Sequence, residues 1–452
     1  MASGEIVTRG AGWNRRDFLR GVGAGGAALM LPPRLMAGSG SDVVIVGAGA
    51  AGIAAARALM GQGYTVRMLE AANRVGGRAF TESRTFGSPF DHGASWLSSA
   101  NVNPHREYVQ RYGFDLNDYT NATDTLFVDD READEREYEQ YEQAFSTIND
   151  RIRFAYEAGD DVPASTVVPE VPFAATAQTW IGPMDMGVDF SGISTIDYWS
   201  AADAAPTYHV AQGYGALVER MAKDLPIETG TAVSGIEWGG SGVRVKSSKG
   251  TLKARACIVT VSTGVLDAEH IRFHPALPER KREAIHDLPM GLLAKVALEF
   301  VDTRFGLPED SWLTYRVSEE LPAEACFFSC WPSGSNLMVG FVGGEFGWEL
   351  SRAGRDDAID FALGELRKRF GSDVDRLFVR GTLTGWADDP LSLGAYSAAR
   401  PGRASAREEI ATPVADRIFF AGEACAGAYV ATCGGAHMSG QAAAEQVADA
   451  LG

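Results

Sequence analysis

Gly47, Gly49 and Gly52 follow the apolar run Val43-Val44-Ile45-Val46 and open a helical apolar pattern, and Glu70 closes Met68-Leu69-Glu70 eighteen residues later. The apolar run predicts a short buried parallel strand. The glycines give a tight turn, close backbone approach to a pyrophosphate and close helix–strand packing. Free N–H groups at the helix start, around Ala51, favour an anion, and Glu70 stands where a carboxylate accepts hydrogen bonds from a ribose diol. The predicted chemistry is dinucleotide binding. Directly after the acid, Arg74 and Arg78 flank Gly76-Gly77, and their planar forks suit phosphate oxygens.

Three later segments carry candidate reactive groups. Lys295 interrupts an apolar strand, Met290 to Leu298, where a charge is costly without a partner; taken alone it reads as an edge-strand lysine. Trp386 and Tyr396 share the stretch Thr384 to Ser397. Arg417 to Glu423 reads as a strand ending in Ala421-Gly422-Glu423, and Tyr429 to Ala436, with Ala431 and Thr432, opens a helix continuing through Ala444. The dipole of that helix would stabilise negative charge at its N-terminus. The histidines and cysteines show no zinc spacing and no G-x-S-x-G occurs, so neither a metal nor a nucleophilic triad is expected.

These segments resemble the flavin-containing amine oxidase family, which includes monoamine oxidases, polyamine oxidases, bacterial nicotine oxidases and flavin-type histone lysine demethylases. The resemblance rests on E-x-x-x-R-x-G-G-R at Glu70 to Arg78, Gly93-Ala94-Ser95-Trp96, G-x-x-x-K-V at Gly291 to Val296, W-x-x-D-P-x-x-x-G-A-Y-S at Trp386 to Ser397, and F-A-G-E at Phe420 to Glu423. It implies an α/β fold with a Rossmann-like FAD domain (41–97, 210–289 and 382–452) and an interleaved substrate domain of mixed sheet plus helices (98–209 and 290–381). It implies FAD, held non-covalently because Ala395 stands where monoamine oxidases carry a flavin-bonded cysteine. The implied cofactor contacts are Gly47, Gly49, Ala51, Gly52, Glu70, Arg74, Gly77, Arg78, Ser95, Trp96, Val233 at the adenine end, Trp386, Gly422, Ala431 and Thr432, with Glu423 on ribityl or ribose hydroxyls.

The same resemblance implies that Lys295 holds a water against flavin N5, that Trp386 packs beside the isoalloxazine, and that Tyr396 forms one wall of an aromatic cage. Thr432 stands at the second cage position and leaves the cage open. The implied reaction moves a hydride equivalent from the α-carbon of a neutral amine to the flavin; the imine hydrolyses to aldehyde and shortened amine, and oxygen (giving hydrogen peroxide) or a cytochrome-type acceptor takes the electrons. Polyamines are the leading substrates, although Ser98 and Ser99 stand where many polyamine oxidases carry a histidine. A nicotine-type cyclic amine or an L-amino acid is the alternative. An FAD-binding protein without turnover is the alternative of another class.

Composition and the remaining elements frame these groups. The chain has 452 residues, more than one core usually holds, and a formal charge of −18, which disfavours nucleic acid and attracts cationic small molecules. Asn14-Arg15-Arg16-Asp17-Phe18-Leu19-Arg20 and the Gly/Ala stretch after it resemble a bacterial twin-arginine signal. That sets 1–40 apart as signal and linker, makes the export machinery a partner and predicts a periplasmic or exported protein. The stretch is too short and glycine-rich for stable membrane insertion. Five cysteines lack paired spacing and are expected as buried thiols. A charge-dense helix is predicted at 129–143, a loop at 158–172 and a hairpin at 232–245. Ala256 to Leu266 reads as a buried strand and turn, in which Ser262 replaces the family's proline, a mild departure because proline there restricts the backbone but supplies no chemistry. A homodimer is expected by analogy with such families.

Overall fold

Residues 41–452 are described by the computed structural model; the predicted export signal lies outside them. Val43, Val44 and Ile45 are fully buried in the strand Ser41–Val46, which runs parallel to Val66–Leu69 on one side and to Gly250–Val259 on the other. This trio is the centre of an eight-stranded sheet completed by Ile227–Glu228, Val243–Ser247, Val233–Glu237, Arg272–His274 and Ile418–Phe420. The hairpin Val233–Glu237 and Val243–Ser247 forms as its sequence predicts.

Gly47 turns the chain at φ +105° into the helix Ala50–Gly61, which packs along the helix Cys433–Leu451. Gly440 makes that approach possible, and Gly52 lets the first helix sit against its own turn. A Cβ on Gly52 would lie 2.2 Å from the Gly47 carbonyl oxygen, and one on Gly440 would lie 2.1 Å from that of Ala51.

A second sheet of seven strands is ordered Phe378–Leu383, Leu293–Phe300, Leu337–Gly343, Phe327–Cys330, Ser311–Tyr315, Asp124–Val128 and Arg131–Glu132. It is mixed: Ser311–Tyr315 pairs parallel with Asp124–Val128, and the other pairings are antiparallel. The helix Glu135–Ala158 covers its outer end through Tyr141, Ala144, Ile148 and Ile152, packed with Leu126 and Val128. This helix starts later than the charge density suggests. Residues 129–132 turn and hairpin back onto the sheet, and a capping box of Asp134 and Glu137 sets the first turn. The fold is a two-domain α/β architecture of mixed sheets plus helices. Among the described residues no helix is long and apolar enough to cross a membrane, and none of the five cysteines is disulfide-bonded.

Two long-range polar contacts were not anticipated. The Ser262 hydroxyl caps the helix Thr263–Asp267 by accepting from Val265 N–H (3.2 Å) and donates to the Ser392 carbonyl (2.7 Å). Proline could do neither. Arg407, on the helix Ala406–Ala411, forms a bidentate ion pair with Asp197 on the helix Thr195–Ser200, and both side chains are under a tenth exposed. Arg407 also donates to the Ser397 hydroxyl (2.9 Å) and carbonyl (3.0 Å). Removing one member of such a pair strands the other's charge. Arg407→Leu should therefore cost about 3–5 kcal/mol of stability in chemical denaturation, and Arg407→Leu with Asp197→Leu should recover most of it. Equal losses in the single and double variants would show that the two charges are not coupled.

Candidate functional site

One cavity of about 1910 Å³ joins the two sheets, larger than a single small ligand requires. At one end it is lined by Gly47, Gly49, Ala51, Glu70, Arg74, Gly77, Arg78 and Val233. Glu70, just after the strand Val66–Leu69, accepts from Ala48 N–H and Ala72 N–H, both at 2.8 Å. Burial raises its pKa and those N–H groups pull it back. Gly76 and Gly77 have φ of +95° and +58°, and Gly76 bridges to Gly49.

Gly49 tests what this end holds. Its backbone (φ −80°, ψ −176°) suits any residue, and a Cβ there would meet nothing nearer than 3.9 Å. The protein's own packing therefore does not demand glycine, whereas an anionic ligand pressed onto the loop does. The helix behind it has no acid in its first turn, which leaves its positive end for phosphate. These residues fit a dinucleotide.

The two arginines are more occupied than the sequence suggests. Arg74 donates to the Gly77 carbonyl (2.7 Å) and lies 4.3 Å from the Phe80 ring centroid. Arg78 donates to the Ala395 carbonyl (2.9 Å) and pairs with Glu423 (3.0 Å). Glu423 also lines the cavity, and its two oxygens accept from Arg78, Ser397 N–H (3.1 Å) and the Ser397 hydroxyl (2.8 Å). Gly422 beside it has open space where a Cβ would stand.

At the middle of the cavity, three successive carbonyls of one loop are engaged. Lys295, in the strand Leu293–Phe300, donates to the carbonyls of Asp91 (2.9 Å) and Gly93 (2.6 Å) and to the Ser95 hydroxyl (2.6 Å). The Trp386 indole donates to the carbonyl between them, that of His92 (2.7 Å). Lys295 is thus no edge lysine: its strand has neighbours on both sides. Burial lowers its pKa to about 8. All three ammonium protons go to protein acceptors, so a water held by Lys295 requires one of these contacts to open. Loop and lysine are further fixed by the Asp91 carboxylate, which accepts from Tyr214 N–H (2.9 Å) and Gly215 N–H (3.1 Å) at the start of the helix Tyr214–Met221.

Tyr396 stands opposite, its hydroxyl donating to the Asp185 carbonyl (2.8 Å) in the π-helical segment Trp180–Met186. Thr432 lines the same cavity and has a structural task as well. It N-caps the helix Cys433–Leu451, accepting from Gly435 N–H (2.9 Å) and donating to the Tyr429 carbonyl (2.7 Å). Ala431 before it holds φ +60°, a left-handed conformation costly for a residue with a Cβ. Trp96 is stacked on Trp312 (5.8 Å between centroids) with the Lys295 ammonium 5.6 Å from its ring.

The far lobe was missed by sequence reasoning. Glu135, Tyr138, Glu139, Tyr141 and Glu142 line it from one helix face, with Trp180, Asp185 and Trp312 opposite. Their helical spacing was the available signal. A second unanticipated group is the buried chain Tyr214–His105–His437 (2.9 and 3.1 Å), drawn from three distant segments. Burial holds both histidines well below their usual pKa.

Comparison with known proteins agrees with this geometry. Residues 50–160 and 177–448 match the family of flavin containing amine oxidoreductases. Polyamine oxidase 4 of Oryza sativa subsp. japonica is 30% identical over 442 residues, covering 90% of this chain and 88% of that protein. Lysine-specific histone demethylase 1 homolog 1 of the same plant is 30% identical over 450 residues, covering 88% of this chain and 51% of its own length. Among solved structures, putrescine oxidase with putrescine bound superimposes with a TM-score of 0.75 at 19% identity over 90% of this chain and 99% of that one. Cyclohexylamine oxidase from Brevibacterium oxydans IH-35A gives 0.74 at 21% identity over 91% and 99%. A nucleotide cradle opening onto a lysine, an indole and a phenol, together with a match over most of the sequence, places this chain in the flavin containing amine oxidoreductase family as an amine-oxidising enzyme.

Proposed function

We propose that the protein oxidises a C–N bond of a linear polyamine, using non-covalent FAD, and acts outside the cytoplasm after twin-arginine export. The observation that carries this reading is the continuity of the cavity from the glycine cradle, past Lys295, Trp386 and Tyr396, to a lobe lined by Glu135, Glu139, Glu142 and Asp185. Bound FAD would accept a hydride equivalent from the amine's α-carbon and pass the electrons to oxygen or another acceptor. The arginines lining the cavity are Arg74 and Arg78, both on the cofactor side, which disfavours an amino-acid substrate because its carboxylate needs a cationic partner.

The reacting nitrogen must be neutral to donate its lone pair. Trp386 and Tyr396 supply apolar surface that disfavours the ammonium, and the nearby positive charge of Lys295 disfavours it further. Ser95 accepts from Lys295 and donates to the Gly93 carbonyl at 3.4 Å, a long contact that its hydroxyl can exchange for a solvent molecule during imine hydrolysis. Ala395 offers a methyl group where a covalent attachment would need a thiol.

Three measurements test this. Spermine or spermidine should bleach the flavin anaerobically while phenylethylamine, nicotine and amino acids do not; a flavin bleached by none of them defeats the reading. Acid precipitation should release all the flavin as free FAD, whereas colour retained in the pellet would show a covalent link. Lys295→Met should slow aerobic turnover on the order of 100-fold and abolish a decline in rate above about pH 8, where the wild-type ammonium loses its proton. An unchanged high-pH limb would remove Lys295 from the reaction.

A further inference from the structure

Tyr214 joins elements on two sides of the cofactor end. Its backbone N–H donates to the Asp91 carboxylate (2.9 Å), and the Asp91 carbonyl accepts from Lys295. Its buried phenol meets His105 Nδ1 (2.9 Å), and His105 Nε2 meets His437 Nδ1 (3.1 Å). His437 belongs to the helix Cys433–Leu451 and directly follows Ala436, which lines the cavity together with Thr432 and Cys433. The Cys433 thiol reaches the same phenol. The helices His105–Tyr112, Tyr214–Met221 and Cys433–Leu451 are thus joined by a chain of hydrogen bonds. Asn103 strengthens the joint: its side chain accepts from His105 N–H (3.0 Å) and fills the space that a Cβ on Gly434 would need.

The chain is complete with one proton in each contact, which leaves both rings neutral. One added proton puts a charge where the side chains are shut off from water, and among the described residues no carboxylate pairs with either ring. A second turns N–H against N–H between the imidazoles. The groups around them offer no relief. The Tyr108 ring packs on His105 (6.4 Å) and on His437 (5.8 Å), and Arg57, on the helix Ala50–Gly61, opposes a proton on His437. The Asp91 carboxylate is engaged with Tyr214 N–H and Gly215 N–H.

A ring that stays neutral while enclosed, and takes a proton once it meets water, makes the enclosed state lose ground in acid. The loss begins near the ordinary histidine value, about pH 6.5, and runs down to about 4, where His437 takes its proton in place. Each ring contributes up to a roughly tenfold change per pH unit.

We propose that Tyr214, His105 and His437 form an acid-sensitive latch behind the cofactor end: proton uptake separates the start of the helix Cys433–Leu451 from its two neighbours and weakens the hold on FAD. The latch rests on the FAD reading above and adds its regulation. His437→Asn keeps an acceptor for His105 and cannot take a proton. Free FAD is separated from loaded protein by ultrafiltration at a series of pH values. Between about pH 6.5 and 5, the Kd of the wild type should rise about tenfold more per pH unit than that of the variant, the two being alike at about pH 7.5. Parallel curves overturn the latch. Should the variant fail to fold, amide hydrogen exchange on the wild type decides. After correction for the intrinsic rate, passing from about pH 7.5 to about pH 5 should cut protection in the three helices at least about tenfold, while the strand Leu337–Gly343 keeps its own; a uniform change or none overturns the latch. A wild type that binds FAD with the variant's pH slope defeats the latch alone, whereas one that binds no FAD at any pH defeats the cofactor reading as well.

Discussion

A buried relay of charge holds the reacting face together. Asp197 pairs with Arg407, Arg407 donates to Ser397, Ser397 donates to Glu423, and Glu423 pairs with Arg78. Each group is stabilising only while its neighbour is present, because an unpaired charge in a low-dielectric interior costs more than the pair returns. The relay begins on the helix Thr195–Ser200 and ends on the arm beside the glycine cradle. Tyr396 sits next to Ser397 in its middle. The position of Tyr396 is thereby tied to distant parts of the molecule.

A similar economy governs the opposite wall. The loop from Asp91 to Ser95 directs its carbonyls at Lys295 and Trp386 while its Asp91 carboxylate anchors a helix start. Lysine and indole are therefore positioned by one short segment and move with it. A buried ammonium with three acceptors is satisfied without a carboxylate in contact, and it retains its charge at neutral pH though its affinity for the proton is reduced.

What could be read from the amino-acid order is what local physics dictates. The Gly47 to Glu70 cradle, the buried strands around it and the apolar strand carrying Lys295 all have short-range signatures of period, turn residue or run length. Ser262, Thr432 and Glu423 were legible as positions but not as roles, because their hydrogen bonds go to groups defined only by the fold. Arg407 and Asp197 lie far apart in sequence, and nothing local marks either as half of a pair. Asp124 was invisible for the same reason: an aspartate before an apolar run is ordinary until the Tyr141 and Thr314 hydroxyls are brought to it. The start of the 135–158 helix was missed because charge density is a weaker signal than the Asp134 and Glu137 cap.

The meeting of Gly440 with the Ala51 carbonyl bears on how the molecule is made. The helix Ala50–Gly61 of the nucleotide cradle packs most extensively on the helix Cys433–Leu451, nearly four hundred residues further along the chain. Close packing of that cradle therefore waits for distant chain, and an apolar, alanine-rich helix face stays uncovered until it arrives. Contacts of such long sequence separation fold slowly. Truncation before Cys433 would uncover the face of Ala50–Gly61 that the helix Cys433–Leu451 covers.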